Sequence, residues 1–145
     1  MLEILLSLNC FTLELAIFMD HTIIHFEIPA NDVEKIKQFY TQLFGWNIEK
    51  DPNMEYYSVM TVPFDEKGNP IRPGVNGGMY KREMPQQQPV NYISVESVDE
   101  FSKKVTDLGG EIIAPKTEVP QMGWFALAKD PEGNVFGIFE MMPMQ

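Results

Sequence analysis

The stretch HFEIPANDVEKIKQFYTQLFGW, residues 25–46, decides the fold because a strand pattern changes into a helix pattern within it. From position 22 to Ile28 the chain has no helix or strand breaker, and Pro29 is expected to end the strand. Side chains alternate across a strand, so the apolar residues at 24, 26 and 28 share one face. His25 and Glu27 then lie together on the opposite face.

A helix is predicted from Asp32 to Phe44. Asn31 or Asp32 can cap its free N–H groups, and Gly45 can adopt the left-handed conformation that ends a helix. The apolar residues recur at helical spacing and form one stripe: Val33, Ile36, Phe39, Tyr40 and Leu43.

The same pattern returns 65 residues later, which indicates an internal repeat. Positions 28, 33, 36, 40, 43 and 45 fall on Ile93, Val98, Phe101, Val105, Leu108 and Gly110. Val90–Val95 is predicted as a strand. Ser97 with Glu100 resembles a capping box that opens a second helix, and Gly109 with Gly110 ends it.

Three strand-like runs follow each predicted helix. They are 46–49, 56–62 and 75–81 in the first half, and 111–114, 124–128 and 135–140 in the second. The turn sequence at 130–134 predicts a hairpin.

The predicted class is α+β, with two βαβββ modules forming a curved mixed sheet around a central cavity. The predicted organisation is an apolar extension at 1–19, a first module at 20–83, a linker at 84–89 and a second module at 90–145.

Composition limits the possible partners and the compartment. A net charge of −10 repels nucleic acid and anionic membrane surfaces, so neither is expected as a partner. The single cysteine, Cys10, cannot form an intrachain disulfide, which fits a cytoplasmic protein, and its apolar surroundings favour an inert thiol.

Residues 1–19 lack Lys and Arg and are too polar for a membrane span. They either pack on the domain or a partner chain, or precede a true start at Met19.

Three segments resemble the vicinal oxygen chelate superfamily, which includes glyoxalase I, extradiol dioxygenases and the fosfomycin and bleomycin resistance proteins. They are the stretch quoted above, GGMYKR at 77–82 and GWFALAKDPEGNVFGIFE at 123–140. The resemblance covers about residues 20–141. It implies paired modules around one small-molecule pocket, and commonly a homodimer.

The resemblance also implies four metal-ligand positions, one on the first and one on the last strand of each half. His25 matches the first position, whereas Val90 and Gly137 occupy two others and cannot bind a metal. The run 75–80 contains no His, Glu or Asp. Glu140 is an odd number of residues from Gly137 and is expected on the other face. No cofactor is therefore expected, and a divalent metal is the alternative.

His25 and Glu27 are the candidate catalytic residues, since a carboxylate beside an imidazole can orient it as a general acid or base. Non-functional roles are the alternatives. His25 would then make a structural hydrogen bond to a neighbouring strand, and Glu27 would point into solvent or pair with a Lys or Arg. His21 is expected to be exposed without a special role. Candidate ligand-binding residues are Tyr57, Met79, Tyr92, Ser94, Trp124 and Phe139. Ordinary core packing is the alternative for the aromatic ones.

Three functions remain open from the sequence. The favoured one is a metal-independent protein that binds a small molecule in a cavity between its modules, similar to the bleomycin resistance proteins. The alternative is a metal-dependent lyase of the lactoylglutathione lyase type, or a related isomerase or dioxygenase. The third is an interaction module, which the apolar extension at 1–19 favours.

Overall fold

The computed structural model describes residues 20–143, so the predicted extension at 1–19 lies outside the described residues. Within these residues two helices and eight strands follow one another as β-α-β-β-β, twice, which confirms the predicted α+β class. The strands are β1 (Ile23–Ala30), β2 (Asn47–Lys50), β3 (Tyr56–Met60), β4 (Gly77–Lys81), β5 (Val90–Ser94), β6 (Glu111–Val119), β7 (Gly123–Lys129) and β8 (Val135–Met141). The helices are α1 (Val33–Phe44) and α2 (Val98–Asp107). Neither described helix is long and apolar enough to cross a membrane.

The chain divides into two compact units. One comprises residues 23–92, and the other joins residues 20–22 to 93–143. The boundary therefore falls inside β5, after Tyr92, rather than in the polar segment 84–89 that the sequence suggests as a linker.

In the unit 23–92, β4 lies between β1 and β3, and β3 pairs in turn with β2. The β1–β4 pairing is parallel and the other two are antiparallel. Helix α1 begins as predicted, because Asp32 Oδ1 accepts a hydrogen bond from Lys35 N at 3.1 Å. Gly45, with φ of 70°, ends it. The core consists of Ala30, Ile48, Tyr57, Val59 and Met79. Val33, Ile36 and Tyr40 of the predicted α1 stripe pack against it, whereas Phe39 and Leu43 are exposed.

Strand β1 continues through Pro29 to Ala30, two residues beyond the predicted end. A proline lacks the backbone N–H but keeps its carbonyl group. The carbonyl groups of β1 that face β4 can therefore still accept hydrogen bonds from β4. Arg82 N donates to Ala30 O at 2.9 Å, so pairing with the β4 side continues past the proline.

In the other unit, β7 pairs antiparallel with both β6 and β8. Helix α2 packs on a core of Val95, Val98, Ala126 and Ile138. The predicted turn at 130–134 is present, with Asp130 N donating to Asn134 O at 2.9 Å. Strand β6 is longer than predicted, and its register shifts on either side of Ala114, next to Pro115.

The first turn of α2 has two caps. Ser97 Oγ accepts from Glu100 N at 3.1 Å, as the sequence predicts. The carboxylate of Glu100 pairs with Lys104 at 2.8 Å. The second cap comes from β8, where Glu140 Oε2 accepts from Val98 N at 2.8 Å. Glu140 therefore lies on the α2 side of the sheet, opposite in parity to Gly137, as expected.

Replacing Glu140 with alanine is expected to lower the free energy of unfolding by about 1 kcal/mol, because it removes a charged cap from a helix N-terminus. Urea unfolding measures this loss, with Glu118→Ala as a control on an exposed position of the same sheet. A Glu140→Ala protein as stable as the parent would contradict this role.

Candidate functional site

Four polar side chains of the unit 23–92 converge on the sheet face that does not contact α1. Phe26 and Ile28 of β1 pack against the core beneath α1, so His25 and Glu27 point away from it. Tyr56 from β3 and Tyr92 from β5 reach the same carboxylate. We call His25, Glu27, Tyr56 and Tyr92 the phenol–carboxylate cluster.

Glu27 is the centre of this cluster. Tyr56 Oη donates to Glu27 Oε1 at 3.2 Å, and Tyr92 Oη donates to Glu27 Oε2 at 3.0 Å. His25 Nε2 lies 2.9 Å from Tyr56 Oη and 3.7 Å from Glu27 Oε1. The imidazole ring also meets the Tyr92 ring edge-on, with centroids 5.6 Å apart. Every member thus contacts at least two others.

The cluster is sheltered but reachable. The side chain of Glu27 is 22% exposed and that of His25 is 35% exposed. Burial raises the pKa of Tyr56 and of Tyr92 well above the ordinary range, and the charge of Glu27 raises each pKa further. Burial and Glu27 also raise the pKa of Tyr80. The three phenols therefore stay protonated at physiological pH.

Gly78 makes room for the Tyr56 phenol. It lies beside Glu27 in the β1–β4 register and opposite Ser58 in the β3–β4 register. A Cβ atom at Gly78 would lie 1.7 Å from Tyr56 Oη. The absence of a side chain at this position is what allows Tyr56 to cross β4 towards Glu27.

Two predicted ligand-binding residues lie elsewhere in this unit. Tyr57 and Met79 belong to the core under α1, where Met79 is 0% exposed. The hydroxyl of Tyr57 donates to Glu34 on α1 at 3.1 Å. The cause is parity: Tyr57 is opposite Met79 in the β3–β4 register, and both face the helix.

The remaining predicted residues belong to the other unit. Trp124 packs on its core, with Lys116 Nζ 5.2 Å from the ring centroid. Phe139 is half-buried and has the opposite parity to the core residue Ile138. The carbonyl group of Ser94 accepts from His21 Nδ1 at 3.0 Å. His21 also lies 3.7 Å from Glu96 and remains 46% exposed.

Sequence reasoning missed Tyr56, Tyr80 and Gly78. Tyr56 is opposite Tyr80 in the β3–β4 register, which places both on the face of Glu27. Two consecutive tyrosines at 56–57 in a strand must point to opposite faces of the sheet, but the sequence does not show which of them faces Glu27. The glycine pair at 77–78 indicates that another group packs closely against β4, but not which group it is.

The described residues do not fit the divalent-metal centre that the resemblance implies. Within residues 20–143, no group of three or more His, Cys, Asp or Glu side chains is close enough to hold a metal ion. Catalytic zinc usually has three protein ligands. His25 and Glu27 supply two, and both oxygens of Glu27 already accept phenol protons.

The chain is similar to curated proteins from a mycobacterium and from a streptomycete. CFP32 of Mycobacterium tuberculosis, whose name assigns it provisionally to the glyoxylases, is 28% identical over 79% of this chain and 43% of its own length. The anthracycline biosynthesis protein DnrV of Streptomyces peucetius is 28% identical over 83% of this chain and 47% of its own. The chain thus spans about half the length of these relatives.

A solved structure and a sequence profile complete the comparison. The hypothetical protein BH1468 of Bacillus halodurans shares the fold, with a TM-score of 0.59 and 12% identity over 87% of this chain and 98% of its own. The sequence profile of a single superfamily matches residues 22–138, most of the chain. The chain belongs to the Glyoxalase/Bleomycin resistance protein/Dioxygenase superfamily.

Proposed function

We propose that this chain binds a small organic molecule against the phenol–carboxylate cluster, without a divalent metal. The observation that carries the proposal is Glu27, a half-buried carboxylate that no Lys or Arg of residues 20–143 pairs with. Burying a carboxylate is costly, and apolar residues on this face would stabilise the unit better. A polar group kept at such a cost is typical of a functional site.

The hydrogen bonds assign a direction to each proton in the cluster. A carboxylate only accepts, so both phenols donate to Glu27. Tyr56 Oη must then accept from His25, which places a proton on Nε2 of the imidazole. In neutral His25 the other ring nitrogen, Nδ1, carries a lone pair, and no partner for it lies within residues 20–143. His25 Nδ1 can therefore accept a proton from a ligand, and the Glu27 carboxylate, 3.7 Å from Nε2, would stabilise the resulting imidazolium.

Binding is tested by amide NMR of the full chain against monosubstituted benzenes with neutral, acidic and basic substituents. We expect at least one of them to shift resonances of residues 25, 27, 56 and 92. Tyr56→Phe removes a phenol of the cluster and should weaken that binding. Tyr57→Phe, one residue away on the opposite face, is the matched control and should not. Probes that shift resonances only elsewhere would contradict the proposal.

Metal retention is tested separately. After dialysis against zinc, nickel or manganese followed by metal-free buffer, we expect far less than one ion per chain, because His25 and Glu27 supply only two ligands. Elemental analysis gives the count. One tightly held ion per chain that His25→Ala releases would refute a metal-independent site.

A lyase of the lactoylglutathione lyase type is the second candidate. It is favoured by His25, which matches a ligand position in the family resemblance, and by the glyoxylase name of a relative. This activity uses a metal to stabilise an enediolate, which the donor set does not fit. Turnover of the hemithioacetal of methylglyoxal and glutathione, with zinc, nickel or manganese added, would establish it.

A further inference from the structure

We infer that the ligand of the phenol–carboxylate cluster carries an ammonium group on an apolar body, an inference that rests on the proposed function. Three features of the cluster point to this chemistry: its unused hydrogen-bonding capacity, its charge and its rings.

Almost all atoms of the cluster that can still form hydrogen bonds with a ligand are acceptors. Tyr56 and Tyr92 have each committed their single proton to Glu27. The second lone pair of Tyr56 Oη, the remaining lone pairs of the Glu27 carboxylate and Nδ1 of neutral His25 are left for a ligand. Tyr80 is the exception, since its hydroxyl has no partner within residues 20–143 and could donate. A ligand that complements this set must mainly donate hydrogen bonds, as an ammonium group does.

The charge of the cluster is negative and is not neutralised locally. Glu140, whose side chain is equally exposed, has Lys116 Nζ at 3.9 Å. Glu27 has no Lys or Arg within 4.0 Å among the described residues, and its one ionisable partner is His25. An anionic ligand would meet this carboxylate at close range, whereas a cation would pair with it.

The rings of the cluster, together with neighbouring Tyr80, suit a cation as well. Tyr56, Tyr80 and Tyr92 come from three strands and surround one carboxylate, and Glu27 influences the pKa of all three. The faces of phenol rings attract cations, and tyrosine cages are a recurring solution for ammonium ligands. The rings also supply the apolar contact that an organic body needs.

The test compares benzylammonium, benzyl alcohol and benzoate, which share one ring and differ in charge. Dissociation constants come from amide NMR titrations of the full chain, read at residues 25, 27, 56 and 92. We expect benzylammonium to bind about tenfold more tightly than either of the others. Glu27→Gln should reduce this preference to less than about threefold.

Glu34→Gln is the matched control, because Glu34 also accepts from a tyrosine but lies on the α1 side. It changes the net charge equally and should preserve the preference. Benzoate or benzyl alcohol binding at the cluster as tightly as benzylammonium would overturn the ammonium assignment and leave the proposed function intact. The ammonium assignment would also be overturned if benzylammonium did not bind, whichever of the other monosubstituted benzenes bind. The wild-type comparison is decisive even if Glu27→Gln folds poorly.

Discussion

Replacing Gly78 with alanine is expected to abolish binding at the phenol–carboxylate cluster while the chain stays folded. The new Cβ would lie 1.7 Å from Tyr56 Oη and 2.1 Å from its Cζ, so the phenol must swing away. The hydrogen bonds of Tyr56 to Glu27 and His25 are then lost. Because the displaced atoms are the end of a side chain, the backbone can stay in place. We expect a fall of about 1–3 kcal/mol in the free energy of unfolding.

The measurements are a benzylammonium titration by amide NMR and urea unfolding of the same protein. Ser58→Ala, at the position opposite Gly78, is the control for binding, because its hydroxyl bonds only the backbone of Glu49. Gly77→Ala provides the contrast in stability. Its Cβ would lie 2.3 Å from the backbone oxygen of Phe26, so the β1–β4 pairing itself must shift, at about 3 kcal/mol or more. Unchanged affinity in Gly78→Ala would show that Tyr56 is not part of the site.

The second large effect is alkaline destabilisation. The raised pKa values mean that Tyr56 and Tyr92 keep their protons in the folded protein, while the unfolded chain loses them above about pH 10. The folded state then binds more protons than the unfolded state, so the free energy of unfolding falls as pH rises. Each tyrosine contributes about 1.4 kcal/mol per pH unit above pH 10, and the full stability is present below that pH.

Urea unfolding between pH 9 and 11.5 measures this slope. Tyr92→Phe should make it shallower by about 1.4 kcal/mol per pH unit, because one linked proton is removed. Glu34→Gln leaves the two cluster tyrosines in place and should change the slope less. A slope in Tyr92→Phe equal to that of the parent would mean that Tyr92 ionises freely in the folded protein.

Much of the fold could be predicted because it depends on periodicity. The sequence offers Asp32 and Ser97 as helix caps, and the helices begin directly after them, at Val33 and Val98, since apolar spacing and a capping side chain specify a helix locally. Strand ends were harder to predict. Pro29 and Pro115 lie inside strands because the neighbouring strand, not the proline, decides whether pairing continues.

The candidate site could be predicted only where strand parity was unambiguous. His25 and Glu27 alternate with a clear apolar face, and the structure adds that the Tyr92 hydroxyl donates to Glu27. Tyr56 could not be chosen over Tyr57, because the two adjacent residues are identical and only the β3–β4 register separates them. The role of Gly78 depends on the side chain of Tyr56 on the preceding strand, which no local pattern around Gly78 reports.

The most direct test is a crystal structure of the protein grown with both zinc and benzylammonium, inspected beside His25. We predict that both oxygens of Glu27 still accept from Tyr56 and Tyr92, that the ammonium group contacts Glu27, and that no metal binds His25. A zinc ion coordinated by His25 and Glu27, with the phenols displaced, would contradict the account.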